Sequence, residues 1–364
     1  MSNQTLLITL RSTTRTLVLA ELFIGVAANL LLPGASQARS TGSGQVCSLA
    51  TPGIGQQGTV TCKDIRSGAT TQSIPLGNTV SAAGGVGGTF SRSGGRVLVT
   101  NQAGGAVLFT EHGGRLTSPV TLEAGTEGSL SGSLGHRGAY VLTGTRLLFF
   151  PSGRTTPASY QPLLLGDGSA SQVTLAGGYA YVAEKGGSLE AFPLAPDGSL
   201  LSPAAPVAGV LPGTIVGITG YDDLVVAPVA HLASNFNQAA VPVVSGLIEV
   251  QVVPTKELAA CWTANDDGEV CVSNPGSMTV SCGRLGPAGF KTFTSAAAAP
   301  LGEAVFDLDV RDGMVGIQAT RAGAPVLQTY ARADDDGDFL TLVSEFPIGS
   351  AKATGALLLP PVSR

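Results

Sequence analysis

Short segments of β-branched, aromatic and small apolar residues recur seven times along the chain at a nearly constant distance. Their first residues lie between 40 and 51 positions apart. The segments are Val46–Ala50, Val97–Asn101, Tyr140–Gly144, Ala180–Glu184, Leu224–Pro228, Val270–Asn274 and Met314–Gln318. A repeat of this length that contains only strands is typical of one blade of a β-propeller. The pattern therefore predicts an all-β fold, a seven-bladed β-propeller.

The residues that follow each segment support the same fold. After Val97–Asn101, a second alternating strand covers Ala106–Thr110, a turn lies at His112–Gly114, and a third strand covers Leu116–Val120. Glycine in such turns supplies the positive φ that tight hairpins need. No long stretch of the chain shows apolar residues at helical spacing, so we expect no helix in the domain.

Composition favours one glycine-rich β domain. Gly accounts for 50 of the 364 residues, roughly twice its usual share of about 7%, and the glycines separate alternating strands. Hydrophobic residues make up 43% of the chain and charged residues 12%, which is enough to bury a large core. Because one closed propeller accommodates this length, we predict a single domain over residues 39–364.

Residues 1–38 differ in character from the rest. Basic residues, the last of them Arg15, precede an apolar run over residues 17–32, and small residues follow up to Ala38. This order predicts a secretory signal peptide that is cleaved after Ala38, and hence a secreted, extracellular protein. The alternative is an uncleaved membrane anchor, for which the run is short and carries a charge.

The charge of the chain argues against two classes of partner. Residues 1–38 hold two of the 20 basic and one of the 25 acidic residues, so 18 basic and 24 acidic residues remain after cleavage. A mildly acidic chain without a basic cluster argues against nucleic acid and against an anionic membrane surface as partners. We therefore expect no nucleic acid partner, and no membrane contact after cleavage.

The cysteines fit an exported protein. Cys47 and Cys62 flank a predicted turn, so they are expected to face each other across a hairpin and form a disulfide. Cys271 can pair in the same way with either Cys261 or Cys282, which leaves the other one over. No histidine lies near these cysteines in sequence, so we predict no metal site.

Two motifs resemble cofactor or metal sites. The segment Gly53–Gly58 matches the dinucleotide-binding pattern G-x-G-x-x-G, but a strand follows it where that site needs a helix. We therefore predict a hairpin loop and no cofactor. The acidic segment Asp334–Asp338 invites a calcium-site interpretation, but its glycine comes too early for an EF-hand loop. A solvated blade turn is the better interpretation.

The three histidines, His112, His136 and His231, each lie in or next to a predicted loop. A single histidine in a loop is usually exposed polar surface, and a catalytic role is the alternative for each.

Two segments resemble a known family. Residues 168–192 resemble a blade of the lactonase-type seven-bladed propellers, which include 6-phosphogluconolactonases and 3-carboxymuconate cyclases. Ala259–Trp262, followed by Asn274–Ser281, is similar to the secreted fungal branch of 3-carboxymuconate cyclase-like proteins. Catalytic members carry histidine-bearing segments where this chain has Ser129–Ser133 and Ser169–Ser171. Only Glu184 matches the family's glutamate.

The resemblance implies a lactonase or muconate cycloisomerase that acts on a small acidic metabolite. Glu184 would transfer a proton, and Arg137 or Lys185 would bind a substrate carboxylate. Glu184 ends its predicted strand, so its side chain is expected at the rim of the propeller. The alternative is a non-catalytic extracellular binding module, such as a surface antigen or adhesin, which the missing histidines favour.

Propellers often complete one blade with strands from both chain ends, which removes an exposed sheet edge. We therefore expect the apolar segment Thr354–Leu359 to pair beside the first blade, near residues 46–75.

Overall fold

A computed structural model describes residues 44–80, 89–165, 168–202, 213–230, 240–245, 248–254, 257, 259–286, 289–297, 305–332, 340–349 and 352–361. The described residues form no helix, and hence none that is long and apolar enough to span a membrane. The predicted signal peptide lies outside the described residues. The all-β prediction is confirmed for the part of the chain that the structure describes.

The strands, numbered in chain order, form seven antiparallel sheets within the described ranges. The first sheet contains β1 (Gln45–Thr51), β2 (Gln57–Asp64), β3 (Thr70–Thr79) and the C-terminal β29 (Lys352–Leu359). The second contains β4 (Phe90–Ser93), β5 (Arg96–Gln102), β6 (Gly105–His112) and β7 (Arg115–Glu123). The third contains β8 (Ser131–Gly135), β9 (Gly138–Leu142), β10 (Arg146–Pro151) and β11 (Ser159–Pro162), and the fourth contains β12 (Ala170–Ala176), β13 (Tyr179–Glu184) and β14 (Ser188–Pro193).

The remaining three sheets follow in the same order. The fifth contains β15 (Thr214–Ile215), β16 (Thr219–Tyr221), β17 (Leu224–Val226), β18 (Val229–Ala230), β19 (Ala240–Ser245) and β20 (Ile248–Pro254). The sixth contains β21 (Thr263–Asp266), β22 (Glu269–Asn274), β23 (Thr279–Gly286) and β24 (Gly289–Ala297). The seventh contains β25 (Val305–Arg311), β26 (Met314–Arg321), β27 (Ala324–Arg332) and β28 (Leu340–Pro347).

The sheets are arranged as a β-propeller, but only six of the described sheets are regular blades, not the seven that were predicted. In the fifth sheet, β17 and β18 both pair with β19, and the short strands β16 and β15 pair with them in turn. Pro228 lies between β17 and β18. Because proline has no backbone N–H to donate to a ladder, it interrupts the strand there.

One strand of each sheet lies next to the propeller axis, and we call these the inner strands: β29, β4, β8, β12, β16, β21 and β25. Inner strands of successive sheets contact each other around the axis. The approach is close at Gly220 of β16, where a Cβ atom would lie 2.1 Å from the carbonyl oxygen of Leu175. Only glycine fits at such a position. We call the face where the inner strands begin the upper face, and the opposite face the lower face.

The C-terminal strand closes the propeller as predicted. β29 pairs antiparallel with β1, with Leu358 opposite Val46 and Thr354 opposite Leu49. The first sheet therefore takes its inner strand from one end of the chain and its other three strands from the opposite end. This pairing covers the inner edge of β1, which would otherwise be an exposed sheet edge.

The core consists of apolar side chains packed between neighbouring sheets. On β5, Val97 and Val99 pack towards the first sheet while Leu98 packs towards the third. The period-2 alternation of strands explains this division. Each large side chain that is fully buried, such as Phe109, contributes roughly 1.5–3 kcal/mol to the free energy of unfolding.

Two disulfides link adjacent strands. Cys47 and Cys62 lie directly opposite each other on β1 and β2 and form the predicted bond. Cys271 pairs with Cys282, its direct cross-strand neighbour on β23. Cys261 is thus the cysteine that is left over, and its thiol is free.

We expect the Cys47–Cys62 bond to stabilise the fold by about 3 kcal/mol, because its two residues are 15 positions apart and the bond restricts the unfolded chain. Replacing both cysteines with alanine should lower the midpoint of urea unfolding. The matched control replaces Cys271 and Cys282, which are separated by 11 positions, and should give a similar loss. An unchanged midpoint in the Cys47/Cys62 variant would contradict this expectation.

Candidate functional site: the central channel

A cavity of about 230 Å³ lies on the propeller axis and is lined by every inner strand. Its lining is Phe90–Arg92, Gly132–Leu134, Gln172–Leu175, Ile218–Gly220, Thr263–Asn265, Asp307–Asp309 and Ala356–Leu357. Most of the side chains that can hydrogen-bond here are hydroxyls and amides. The arrangement is a polar pocket built from equivalent positions around the axis.

Each inner strand is the last strand of its sheet and pairs with a neighbouring strand on one edge only. Its other edge is unpaired and lines the cavity. In β8 and β16, the strand is short and rich in glycine, serine and threonine. Such strands bury too little apolar surface to be stable alone. They are held in place by the apolar second strand of each sheet, such as β9, which is completely buried.

Polar side chains on the inner strands connect one sheet to the next. The Ser91 hydroxyl accepts a hydrogen bond from the Leu134 N–H at 3.0 Å. The Gln172 side-chain oxygen accepts one from the Ile218 N–H at 2.6 Å. These bonds satisfy backbone groups at the free edges of the inner strands, where no further strand is present.

The main charged group in the cavity is an ion pair between Arg92 of β4 and Asp309 of β25, with 3.1 Å between the guanidinium nitrogen and the carboxylate oxygen. Both side chains also bind Leu358 of β29. Arg92 donates to its carbonyl oxygen at 2.9 Å, and Asp309 accepts from its N–H at 2.7 Å. The pair therefore holds the C-terminal strand to two other sheets.

Burial raises the pKa of Asp309 above its ordinary value, although the Arg92 charge and the N–H groups of Leu358 and Val310 act in the opposite direction. Removal from water disfavours the ionised carboxylate, and the nearby positive charge compensates only in part.

Glu184 is buried, not exposed at the rim as the sequence suggested. Its side chain is 1% exposed, and the Ser169 hydroxyl donates a hydrogen bond to it at 2.6 Å. Glu184 ends β13 opposite Ala170, at the upper face. The fold buries it because the residues before β12 cover the end of β13. Glu184 does not line the channel cavity.

The structure does not bring Arg137 near Glu184. Arg137 is exposed in the turn between β8 and β9, and its Cβ lies beside Gly198, in the turn after β14. That turn is at the Tyr179 end of β13, since Pro193 pairs with Tyr179. The length of β13, roughly 17 Å, therefore separates Arg137 from Glu184 along the strand direction.

Lys185 follows Glu184 directly in sequence, but its side chain is exposed whereas that of Glu184 is buried. Its backbone N–H donates to the carbonyl oxygen of Ser169. Of the three residues predicted for catalysis, Glu184 and Lys185 therefore lie next to each other on the upper face, the first buried and the second exposed. Arg137 lies on the lower face.

Other residues singled out from the sequence lie away from the cavity. His112 is exposed at the end of β6 and His136 is exposed in a turn, while His231 and the acidic segment Asp334–Asp338 lie outside the described residues. Burial raises the pKa of the Cys261 thiol to about 11, so the thiol is protonated at neutral pH and a weak nucleophile. In the described part of the chain, no group of three or more histidine, cysteine or acidic side chains could hold a metal ion.

Apart from β29, sequence reasoning missed the inner strands and, with them, Arg92 of β4 and Asp309 of β25. The sequences of β4 and β25 mix polar and apolar residues. They lack the continuous apolar character of the strand that follows each of them, β5 or β26. One signal was present: each of the missed inner strands ends shortly before one of the seven repeat segments, as β25 does before Met314.

Fold and cavity define the class of the protein as a β-propeller with a polar central channel. No family model matches the chain, and no curated protein matches it. Among solved structures, it is similar to a functionally unknown protein from Desulfotomaculum acetoxidans DSM 771, at 13% identity and a TM-score of 0.62, covering 88% of this chain and 99% of that one. It is also similar to the computationally designed Ika8 protein, at 12% identity and a TM-score of 0.54, covering 88% and 95%. These similarities show the fold alone.

Proposed function

We propose that this protein is an extracellular, non-catalytic binding module, a seven-bladed propeller that holds a small polar molecule in its central channel. In this proposal the interrupted sheet of β15 to β20 serves as the seventh blade. Its inner strand β16 contacts β12 on one side and β21 on the other, which supports counting it with the six regular blades.

The cavity on the axis carries the proposal. It is enclosed by all the inner strands, and its wall offers many hydrogen-bonding groups that converge on one space. Small-molecule sites are usually concave, and polar groups that converge on them fix the orientation of the ligand. In contrast, the residues predicted for catalysis do not converge.

The two disulfides are consistent with an extracellular location, because such bonds persist mainly in oxidising compartments. Together with the predicted signal peptide, they support the proposal that the protein is secreted.

A direct screen tests the binding function. At least one member of a mixed library of small polar molecules is expected to raise the melting temperature of the protein. Replacing Ser133 on the cavity wall with leucine fills the channel and should abolish this shift. The matched control is Thr121→Leu on the exposed outer strand β7, which should retain it. Absence of any binding, or binding that is unchanged in Ser133→Leu, would contradict the proposal.

The enzymatic alternative is the lactonase or 3-carboxymuconate cyclase activity implied by the resemblance. One observation favours it: Glu184 is a buried carboxylate hydrogen-bonded to Ser169, an environment in which acid–base groups are often found. Its separation from Arg137 counts against it.

We expect no turnover of lactones or muconates by the parent protein. The Glu184→Gln variant, which keeps a hydrogen-bond acceptor for Ser169, should melt close to the parent. Turnover by the parent that falls by roughly 10²–10⁴-fold in Glu184→Gln would establish acid–base catalysis and overturn the non-catalytic proposal.

A further inference from the structure

The charges on the channel wall do not suit an acidic ligand. The lining contains two carboxylates, Asp307 and Asp309, and one guanidinium, that of Arg92. The guanidinium already donates three hydrogen bonds, to Asp309 and to the carbonyl oxygens of Leu358 and Val310. A carboxylate that entered the cavity would meet more negative than positive charge, and the wall's single positive charge is already paired.

The groups with unused hydrogen-bonding capacity on this wall are neutral. The hydroxyls of Ser133 and Thr219 make no hydrogen bond with the described residues. The Gln172 side chain uses its oxygen to accept from Ile218 and leaves its NH₂ group available. The Ser91 hydroxyl accepts from Leu134 and keeps its own proton to donate. Hydroxyl groups on a ligand can both accept from and donate to such a wall.

An organic cation fits this wall less well than a polyol does. An ammonium group has donors and no acceptor, so a cation without other polar groups would leave the Gln172 NH₂ group without a partner. The volume sets a further limit. At about 230 Å³, the cavity is smaller than the roughly 300–1,000 Å³ pockets that hold drug-sized ligands.

We infer that the channel binds a neutral polyhydroxylated molecule of monosaccharide size. This inference rests on the proposed binding function and specifies its ligand. The cavity wall then acts as a set of hydroxyl and amide partners arranged around the axis. The Arg92–Asp309 ion pair forms part of this wall, and its two charges compensate each other.

The test compares ligands that share a ring and differ in charge. Neutral hexoses and inositol, the matching uronates and the matching amino sugars are titrated into the intact protein at concentrations up to the millimolar range, and dissociation constants are measured by calorimetry. We expect at least one neutral compound to bind at least about tenfold more tightly than its uronate.

Isosteric variants then locate the site. Thr219→Val removes one cavity hydroxyl and should weaken the bound neutral sugar by about 3–10-fold. Thr121→Val makes the same change on the exposed outer strand and should have no effect. If Thr219→Val does not fold, Ser133→Ala replaces it.

The other possible outcomes show whether only the polyol inference fails or whether the proposed binding function fails as well. Tighter binding of a uronate or an amino sugar that is weakened by Thr219→Val would overturn the polyol inference and leave the binding function standing. Equal effects of Thr219→Val and Thr121→Val would place any sugar outside the channel and also overturn the inference. No sugar binding, while a library compound binds in the channel, would overturn the inference alone. No binding of any compound would overturn both.

Discussion

Removal of residues 350–364 is expected to abolish cooperative unfolding of the propeller. The truncation deletes β29, whose residues Ala356–Leu359 are at most 2% exposed. Three buried leucines at roughly 1.5–3 kcal/mol each amount to about 5–9 kcal/mol, similar to the whole stability of a typical domain. The deletion also exposes the inner edge of β1, so aggregation should accompany the loss.

The control for this prediction is a chain that lacks only residues 362–364 and keeps β29 intact. It should unfold with the same midpoint and the same steepness as the parent in a urea titration followed by circular dichroism. A chain ending at Gly349 that unfolded like this control would show that β29 is dispensable and that the propeller closes in another way.

Replacing Arg92 with methionine is expected to destabilise the protein by about 3–5 kcal/mol at neutral pH, because the change leaves the Asp309 carboxylate without its partner in a largely buried position. The double variant Arg92→Met/Asp309→Leu removes both charges and should recover much of this loss. A buried ion pair can often be replaced by apolar residues with little change in stability.

The loss in Arg92→Met should depend on pH in a defined direction. The pKa of Asp309 is already raised by burial, and removing Arg92 raises it further. A carboxyl group with a raised pKa in the folded state favours folding when protonated, and this contribution is lost as the pH rises through the folded-state pKa. Arg92→Met should therefore be closer to the parent at about pH 4.5 than at about pH 7.5.

Urea unfolding of the parent, Arg92→Met and the double variant at both pH values tests these points. A loss in Arg92→Met that stays constant with pH would show that the guanidinium acts by packing or by its bonds to the Leu358 and Val310 carbonyls, and not by compensating the Asp309 charge. A double variant less stable than the single one would show that the hydrogen bonds from the Leu358 and Val310 N–H groups to Asp309 matter more than its unpaired charge.

Much of the strand pattern could be predicted from the sequence, because it reflects properties of single strands. Each of the seven repeat segments lies in a different sheet, as its second strand, except that Pro228 interrupts the fifth. The Cys47–Cys62 bond and the pairing of the C-terminal strand with β1 also followed from local pattern and topology. Choosing Cys282 over Cys261 as the partner of Cys271 required the register of β22 and β23.

The candidate site was much harder to predict. Arg137 and Glu184 belong to neighbouring blades, and their sequence positions do not show that one precedes its strand at the lower face and the other ends its strand at the upper face. Glu184 reads as the end of a strand and hence as exposed, but the residues before β12 bury it. Burial of this kind depends on how the segment before β12 folds over the end of β13, which the pattern of a single strand does not contain.

By itself, the sequence determined that this is an all-β chain of repeated hairpins closed by its own C-terminal strand. Apolar alternation and turn glycines act over a few residues, so they can be read directly from the chain. Only the tertiary structure decided where polar side chains meet. Arg92, Asp309 and Leu358 lie far apart in sequence, and they come together because the ring of sheets brings the first inner strand of the chain and the last two to one axis.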